Sequence, residues 1–279
     1  MAYKKLQKPA PHSSADDLPV EVLDPLRSAQ YYSLVMPQPA QKLAPFIDHY
    51  WIMRWELPAG ESFTAEVIPS PYINLTFMRE GPRITGVTTG KYTYDVVGKG
   101  VIVGAKFLPG GYYALSRQSA VEVTDAAIPA QSIFAAATSE LNERILTAST
   151  DAEAIRMMEE ILLAQLPEPD KYIALVQTII TDIKQNDHPT VASVAQKFSI
   201  SERRLQELFQ LYVGVSPKWV LLRYRLLKAT QMAMRPTEQS WTDIGIELGY
   251  SDQAHFINDF KRIIGQTPRQ YSQKAHTQS

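Results

Sequence analysis

The sequence predicts an α+β protein: an N-terminal β-barrel with trailing helices, followed by an all-α domain of two helix-turn-helix units joined by a long helix. Three observations support this division. Seven short β-prone segments lie between residues 31 and 107, helical periodicity dominates after residue 111, and one helical pattern occurs twice between residues 190 and 271. A run of strands followed by a run of helices is typical of α+β folds or of separate domains.

Composition divides the chain into three parts. Residues 1–30 are rich in Pro, Ala, Ser and charged side chains, which predicts a poorly ordered tail. Prolines at positions 167 and 169 flank Glu168 and predict a domain boundary. We therefore expect a tail over residues 1–30, a β-barrel domain with trailing helices over 31–166, and a helical domain over 170–275.

The β-prone part alternates short apolar runs with turn signals such as Gly81-Pro82. Short strands at regular spacing favour a sandwich or a barrel, and we expect a barrel. The predicted strands cover residues 31–35, 48–57, 63–68, 73–78, 83–88, 92–97 and 101–107.

Strand alternation is clearest over residues 72–77. The apolar side chains at 73, 75 and 77 share one face, and those at 72, 74 and 76 share the other. One face belongs to the core, while the other faces either solvent or a cavity. The many aromatic residues of this region either line a ligand cavity or fill a compact barrel. The candidate ligand-binding residues are Trp51, Arg54, Trp55, Tyr72 and Asn74.

Helical periodicity follows Gly111. Helices are predicted over residues 112–115, 132–146 and 150–166, the last with Thr150 and Glu153 at capping-box spacing. The last helix carries an apolar stripe that either packs on its own domain or forms a homodimer seam, and the sequence leaves both alternatives open. The stripe consists of Ile155, Met158, Ile161 or Leu162, and Leu166.

A repeated pattern organises the C-terminal part. The offset between its copies is 50 residues up to Ser201 and Ser251 and 51 residues from Leu205 and Phe256 onward, so one residue has been added at the turn. Each copy predicts a short helix, a turn and a second helix. A preceding helix over residues 170–185 is expected to support the first copy with Ile173, Val176, Ile180 and Ile183 pointing inward.

The ends of these helices have local capping patterns. Thr190 and Ser240 are expected to cap the short helices, and Asp243 completes a capping box in the second copy. Ser201 or Ser251 is expected to start the second helix of each copy. In the second copy, the turn contains Gly249, which readily adopts a left-handed conformation.

The outward faces of the second helices carry side chains that suit a major groove. Arg pairs with guanine, Gln and Asn pair with adenine, and small apolar groups contact the thymine methyl. Any exposed helix can carry such residues, but two copies joined by a defined spacer favour DNA reading.

The spacer, predicted from Pro217 to Met234 with Pro236 ending it, is roughly 27 Å long at ~1.5 Å per residue. Successive major grooves on one side of a duplex lie roughly 34 Å apart.

Several features of the C-terminal part occur together: two helix-turn-helix units, Arg225-Leu226 and Ala229 in the spacer, the run from Gly249 to Gln253, and Gly265-x-Thr267-Pro268-x-x-Tyr271. In this combination, the C-terminal part resembles the DNA-binding domain of AraC/XylS-type transcriptional regulators. The resemblance covers about the last hundred residues. It implies six base-reading positions, which are Arg203, Gln206 and Glu207 in the first unit and Gln253, Ala254 and Asn258 in the second.

This chain departs from the family pattern at two positions. Gly245 stands where the family usually has Ala, which weakens the short helix by roughly 1 kcal/mol. Glu207 is acidic where a basic residue is often found, and it could accept a hydrogen bond from cytosine or tune specificity.

The N-terminal part is similar to the cupin-like sensory domains that precede this DNA-binding domain in one branch of the family. The similarity rests on Ala44-Pro45-Phe46, on the run from Tyr50 to Pro58 and on the run from Phe107 to Gly111. It implies that residues 31–166 sense a small molecule, dimerise, or both.

Charge is divided between the two parts. Residues 170–279 have a formal charge of +4 and the other 169 residues −5, which fits nucleic-acid contact confined to the C-terminal part. Arg225 is expected to pair internally with an acid such as Asp243. The candidates for phosphate contact are Lys218, Arg223, Lys228, Lys261, Arg262 and Arg269.

Several function classes are excluded by composition. The chain has no cysteine, and among its five histidines only His49 lies in the β-prone part, so a cupin-type metal site is excluded. A phosphate-binding Gly-rich loop and a Ser/His/Asp arrangement are both missing, so we expect neither an enzyme nor a cofactor. No apolar run reaches the ~18 residues of a membrane span, and we expect no membrane contact and a cytoplasmic protein.

Together these observations predict a one-component transcription regulator. Its expected partners are double-stranded operator or promoter DNA, RNA polymerase, a small-molecule effector and a second copy of the chain. The competing class is a small-molecule-binding β-barrel protein or enzyme whose helical C-terminal half is a protein-interaction module.

Overall fold

The computed structural model describes Val22 and residues 25–168, 170–186, 190–233 and 240–276. Most of the predicted tail, residue 169 of the predicted boundary, and the predicted end of the spacer at residues 234 and 236 lie outside the described residues. Within the expected tail, Val22 forms an isolated antiparallel bridge with Val67, and a short helix, α1, covers Pro25–Ser28.

Eight strands form two antiparallel sheets. The larger has the order β1-β2-β7-β4-β5-β8, and the smaller consists of β3 and β6. All seven predicted strands are present, β6 with the predicted ends and the other six with one or both ends shifted, whereas β8 was not predicted. The strands are β1 (Ser33–Val35), β2 (Ile47–Glu56), β3 (Ser62–Val67), β4 (Asn74–Phe77), β5 (Arg83–Thr85), β6 (Tyr92–Val97), β7 (Lys99–Phe107) and β8 (Ala127–Pro129).

The expected closed barrel is wrong. Among the described residues, β3 and β6 pair with each other and with no strand of the larger sheet, so both sheets are open. Alternating faces are common to stacked sheets and barrels, and they do not determine which strand edges pair.

The larger sheet has two different faces. Ile73, Leu75 and Phe77 are buried in the main hydrophobic core on one side. The side chains of Tyr72, Asn74 and Thr76 line a cavity on the other side, between the larger sheet and the β3–β6 pair. The alternation over residues 72–77 therefore separates core from cavity lining.

Three α-helices follow β7 in the N-terminal part: α2 (Gly111–Ser116), before β8, and α3 (Ser139–Leu146) and α4 (Asp151–Leu163), after it. The helix predicted from residue 132 begins only at Ser139, after a 3-10 turn over Ala130–Ser132. Thr150 caps α4, but the Glu153 carboxylate accepts from the backbone N–H of Ser149, so the predicted capping box is half formed.

The apolar stripe of α4 packs within the chain. Met158, Ile161 and Leu162 are buried in the main core, whereas Leu166, beyond the helix, is 42% exposed. The stripe therefore packs mainly on its own domain, the first of its two alternatives, and Ile155 is half-buried against the same core.

The C-terminal part contains seven helices among the described residues. In α5, the four predicted inward residues Ile173, Val176, Ile180 and Ile183 are all buried, which confirms its inner face. The spacer α8 spans 17 described residues, or roughly 25 Å at ~1.5 Å per residue. The helices are α5 (Lys171–Gln185), α6 (Val191–Lys197), α7 (Glu202–Tyr212), α8 (Pro217–Ala233), α9 (Trp241–Glu247), α10 (Gln253–Ile264) and α11 (Pro268–His276).

The two parts share one continuous core. Phe107 of β7, Ile173 of α5 and Phe209 of α7 belong to the same buried cluster. Within the described ranges, none of the helices is both long and apolar enough to cross a lipid bilayer.

Candidate DNA-binding interface

The first helix-turn-helix unit is α6 and α7. The Thr190 hydroxyl accepts from the N–H of Ser193, and the Ser193 hydroxyl accepts from the N–H of Thr190, so the two residues form a reciprocal capping box. Ser199 turns the chain with φ +53°, and Ser201 then caps α7 by accepting from Arg204 N at 3.1 Å. These local contacts set where α7 begins.

The second unit, α9 and α10, repeats this construction. Ser240 and Asp243 form the predicted capping box, and the two hydrogen bonds from Ser240 lower the pKa of the Asp243 carboxyl. Gly249 occupies the turn with φ +78°. Asp252, not Ser251, caps α10 by accepting from Ala254 N at 2.9 Å, so the added residue lies between the turn and the cap.

Equivalent side chains hold each second helix in place. Leu205 and Phe209 of α7 and their counterparts Phe256 and Phe260 of α10 are fully buried. The ring of Trp241 packs edge-on against Phe260 at 5.1 Å. Because both helices bury the same side, both present the opposite side outward.

The predicted base-reading residues lie on those outward sides. Arg203 has a side chain that is 90% exposed, Glu207 is exposed and Gln206 is half-buried in α7. Gln253, Ala254 and Asn258 are all exposed on α10. Each helix thus brings together the three side chains that the sequence assigns to it.

Glu207 is held by two cations of its own helix. Arg203 Nε donates to Glu207 Oε1 at 3.0 Å, and Arg204 Nη1 donates to Oε2 at 3.3 Å. These hydrogen bonds lower the pKa of the Glu207 carboxyl below its ordinary 4.5. The Glu207 carboxylate is thus in direct contact with the Arg203 guanidinium on the exposed side of α7.

The candidate phosphate contacts fall into two groups. Lys218, Lys261, Arg262 and Arg269 are exposed, and Lys228 is half-buried. Arg223 is only 1% exposed, and its Nε donates to the Pro69 carbonyl of the N-terminal part at 2.9 Å. The prediction for Arg223 is therefore wrong in this arrangement, because the side chain points into the protein.

Arg225 also differs from expectation. Its guanidinium lies 5.6 Å from the Tyr250 ring centroid, whereas the Asp243 carboxylate bonds to Ser240. The residue still connects the spacer to the second unit, but through an aromatic ring.

The cavity between the two sheets is a second candidate site, with a volume of about 240 Å³. Trp51, Tyr72 and Asn74 line it as predicted, and Trp51 Nε1 donates to Asn74 Oδ1 at 3.3 Å. The other two candidates lie outside the lining. Arg54 points to the opposite face of β2 and pairs with Asp151, and Trp55 packs against Tyr94.

Sequence reasoning missed three basic lining residues, His49, Arg83 and Lys106. Lys106 Nζ lies 4.2 Å above the Tyr72 ring and 4.0 Å from Asp48, and the pKa of Asp48 is lowered chiefly by a hydrogen bond to His49 and also by Lys106. Lys106 pairs with Asn74 across β7 and β4, so the register of these strands, once known, places both on the cavity side. Within the described ranges, no three His, Asp or Glu side chains are grouped as a metal site requires.

Two capped units, a helical spacer and two outward polar helices define a double helix-turn-helix domain of the DNA-binding class. Residues 194–274 match the family model described as a helix-turn-helix domain, and residues 36–129 match a domain of unknown function, DUF6597. These matches and the relatives below support an AraC-type domain at this end of the chain.

The curated relatives match the C-terminal part. The transcriptional activator RhaS of Escherichia coli is 40% identical over 81 residues, which are 29% of this chain and 29% of RhaS. The transcriptional regulator ArgR of Pseudomonas aeruginosa is 35% identical over 81 residues, 29% of this chain and 24% of ArgR. The match thus spans less than a third of either relative, and these relatives are transcriptional regulators, not enzymes.

Solved structures are similar over different extents. A regulator with an AraC-type DNA-binding domain from Chromobacterium violaceum is 27% identical, with a TM-score of 0.33, over 36% of this chain and 95% of its own. ToxT from Vibrio cholerae is 9% identical, with a TM-score of 0.36, over 86% of this chain and 96% of its own.

Proposed function

We propose that this chain is a sequence-specific transcription regulator that reads two adjacent major grooves of one operator. The observation that carries the proposal is the equivalence of α7 and α10: each begins at a side-chain cap, Ser201 or Asp252, buries the same side and exposes mostly polar residues opposite to it. Arg203, Gln206 and Glu207 read one half-site, and Gln253, Ala254 and Asn258 read the other. The exposed Lys218, Lys261, Arg262 and Arg269 contact phosphates, and Lys228 reaches the backbone from the edge of the spacer.

The spacer supports simultaneous reading of two grooves. A helix of roughly 25 Å, with the width of one unit at each end, can bridge major grooves that lie roughly 34 Å apart on one side of a duplex. A modest positive charge on this part adds non-specific attraction that decreases with salt.

The N-terminal part, in this proposal, is a cupin-like sensory domain with open sheets. The cavity has mostly apolar walls and a few polar groups, among them Asn74 and Lys106, which is the usual make-up of a small-molecule site. A small-molecule effector would bind there. RNA polymerase and a second copy of the chain are the further proposed partners, and the protein acts in the cytoplasm.

The test is selection of a binding site from a random duplex library with the full chain, followed by fluorescence anisotropy at two salt concentrations. Gln253→Ala and Arg203→Ala are each expected to weaken specific binding by roughly 1–3 kcal/mol. The matched control is Arg156→Ala, which removes an exposed i,i+4 ion pair with Glu160 on α4 that resembles the Arg203–Glu207 pair. Failure to enrich any sequence would favour the competing class, a binding protein with a helical interaction module.

A further inference from the structure

The two helix-turn-helix units carry a glycine at the equivalent position, within two residues of the end of each outward helix. Gly214 follows α7 and Gly265 follows α10, at the repeat offset of 51 residues, and both have positive φ, +95° and +81°. Both glycines also lie against the N-terminal domain: Gly214 is buried there, whereas Gly265 stays exposed and is contacted by one side chain.

The first contact is made by the segment after α2. A Cβ at Gly214 would lie 2.7 Å from Thr124 Oγ1 and 2.8 Å from the Ala120 carbonyl, so only glycine fits there. The Thr124 hydroxyl donates to the Gly214 carbonyl at 2.7 Å. The N–H of Gly110 donates to the Tyr212 carbonyl at 2.8 Å, at the last turn of α7. The end of α7 is therefore fixed to the N-terminal domain.

The second contact is made at the smaller sheet, by residues directly before β6 and directly after β3. The aliphatic chain of Lys91 lies against Gly265, where a Cβ would be 2.7 Å from Lys91 Cδ. Lys91 is itself held by Glu66, at 2.7 Å between Nζ and Oε1. Ile68 is buried in the hydrophobic core of the second unit. The second unit is therefore attached to the same domain as the first.

We propose that the N-terminal domain clamps both units at their equivalent glycine turns and thereby determines the half-site spacing that the protein accepts. This inference rests on the proposed DNA-reading function. Both contacts lie at the C-terminal ends of α7 and α10, whereas Arg203 and Gln253 near the N-terminal ends stay exposed. The clamp can thus remain closed while both helices face a duplex.

A clamp of this kind has a measurable consequence. One inserted base pair shifts a half-site by about 3.4 Å and rotates it by roughly 35° around the duplex axis. Two helices joined only through α8 could follow that change by small motions between the units. Two helices attached to one folded domain cannot, so binding is expected to depend steeply on spacing.

The experiment uses the full chain and the selected operator, with zero, one or two base pairs inserted or removed between the half-sites. Thr124→Val removes the hydroxyl that donates to the Gly214 carbonyl, and Lys91→Ala removes the side chain that contacts Gly265. The double variant and Lys91→Ala alone are compared with wild type. The matched control combines Lys99→Ala and Thr64→Val, which alter a Lys–Glu pair and a Thr–Asp hydrogen bond elsewhere in the N-terminal domain.

In wild type and control, affinity is expected to peak at one spacing. In the double variant, the ratio of the affinity at the best spacing to that at the adjacent spacings is expected to decrease at least about fivefold, the lower end of typical coupling between sites. For Lys91→Ala alone, we expect a ratio between those of wild type and the double variant. Equal ratios in all proteins, or a uniform change at every spacing, would overturn the clamp alone. Absence of specific binding by wild type would overturn the proposed function and the clamp with it.

Discussion

Arg203 and Glu207 are ion-paired one turn apart on α7, with 3.0 Å between Nε and Oε1. An i,i+4 pair on an exposed helix stabilises that helix by only a few tenths of a kcal/mol. In the proposed recognition of DNA, the carboxylate would hold the guanidinium in one direction and would place a negative charge beside the DNA backbone. We therefore expect a substitution at position 207 to affect both the base contact and the phosphate attraction.

Replacing Glu207 by Gln is expected to raise affinity for random duplex DNA several-fold at low salt and to reduce the ratio of specific to random binding. The change removes one negative charge near the phosphates and releases Arg203 from its fixed direction. Anisotropy titrations with selected and random duplexes at two salt concentrations measure both effects. Glu160→Gln, which removes the equivalent partner of Arg156 on α4, is expected to change neither. An unaltered ratio in Glu207→Gln would mean that Glu207 does not orient Arg203 on DNA.

The same pair predicts a titration behaviour. Because the pKa of Glu207 is lowered in the folded protein, the contribution of the pair is present above the unfolded pKa and is lost as pH falls through the folded value. Arg203→Ala is expected to raise the pKa of Glu207 toward 4.5, since Arg203 is the largest cause of the shift. Carboxyl NMR titration measures this change. The pKa of Asp243, which is lowered by Ser240 alone, is the internal control and should stay constant.

A substitution at Arg223 distinguishes two roles for this side chain, a structural one and contact with DNA. Loss of a hydrogen bond from a charged, buried donor costs about 1.5–3 kcal/mol, so Arg223→Ala is expected to lower the free energy of unfolding by about that amount. Arg269→Ala, on the exposed surface of α11, is expected to change stability by no more than about 0.5 kcal/mol. Urea unfolding compares the two variants. If Arg223→Ala had normal stability but weakened DNA binding, the result would support the phosphate contact that the sequence predicted.

Local patterns were sufficient for three of the four caps in the helix-turn-helix units, whereas α10 begins at Asp252 and not at the predicted Ser251. The caps at Thr190, Ser201 and Ser240 depend on neighbours three residues away at most, so the sequence contains all the information needed to place them. Burial of α8 was harder to predict. Its buried residues, among them Val220, Arg223 and Leu226, lie around most of the helix, and a helix enclosed in this way has no solvent face to which a basic residue can be assigned.

Long-range relationships in the N-terminal part were not predictable in the same way. Strand alternation correctly placed Tyr72 and Asn74 on one face of β4, but the pairing of β3 with β6 alone, which leaves the sheets open, depends on contacts far apart in sequence. The cavity residue Lys106 follows from the register of β7 with β4, which no single strand specifies. Arg54 is a different case, because alternation along β2 alone places it on the face opposite to Trp51, where it pairs with Asp151.

At Gly245, where the sequence departs from the family pattern, the structure shows whether an alanine side chain would fit. A Cβ at this position would lie 3.4 Å from Phe256 Cδ1, an ordinary van der Waals distance. Gly245→Ala is therefore expected to raise the free energy of unfolding by about 0.5–1 kcal/mol, the difference between the two residues inside a helix. Gly265→Ala is expected to do the opposite, because its φ is positive and its Cβ would meet Lys91. Urea unfolding of both variants measures the contrast, and a destabilised Gly245→Ala would show that Phe256 cannot accommodate the methyl group.

The turns of the two units differ at one equivalent position, Ser199 and Gly249, and both have positive φ. A side chain in the left-handed region costs roughly 1–2 kcal/mol, while the greater freedom of glycine in the unfolded chain costs roughly 0.5–1 kcal/mol. Ser199→Gly is therefore expected to raise the free energy of unfolding by about 0.5–1 kcal/mol, and Gly249→Ser to lower it by a similar amount. No atom lies within 4 Å of a Cβ at Gly249, so the cost there comes from the backbone alone. Chemical unfolding of both single variants provides the comparison; a loss of stability in Ser199→Gly would mean that the serine side chain contributes more to the turn than its left-handed backbone costs.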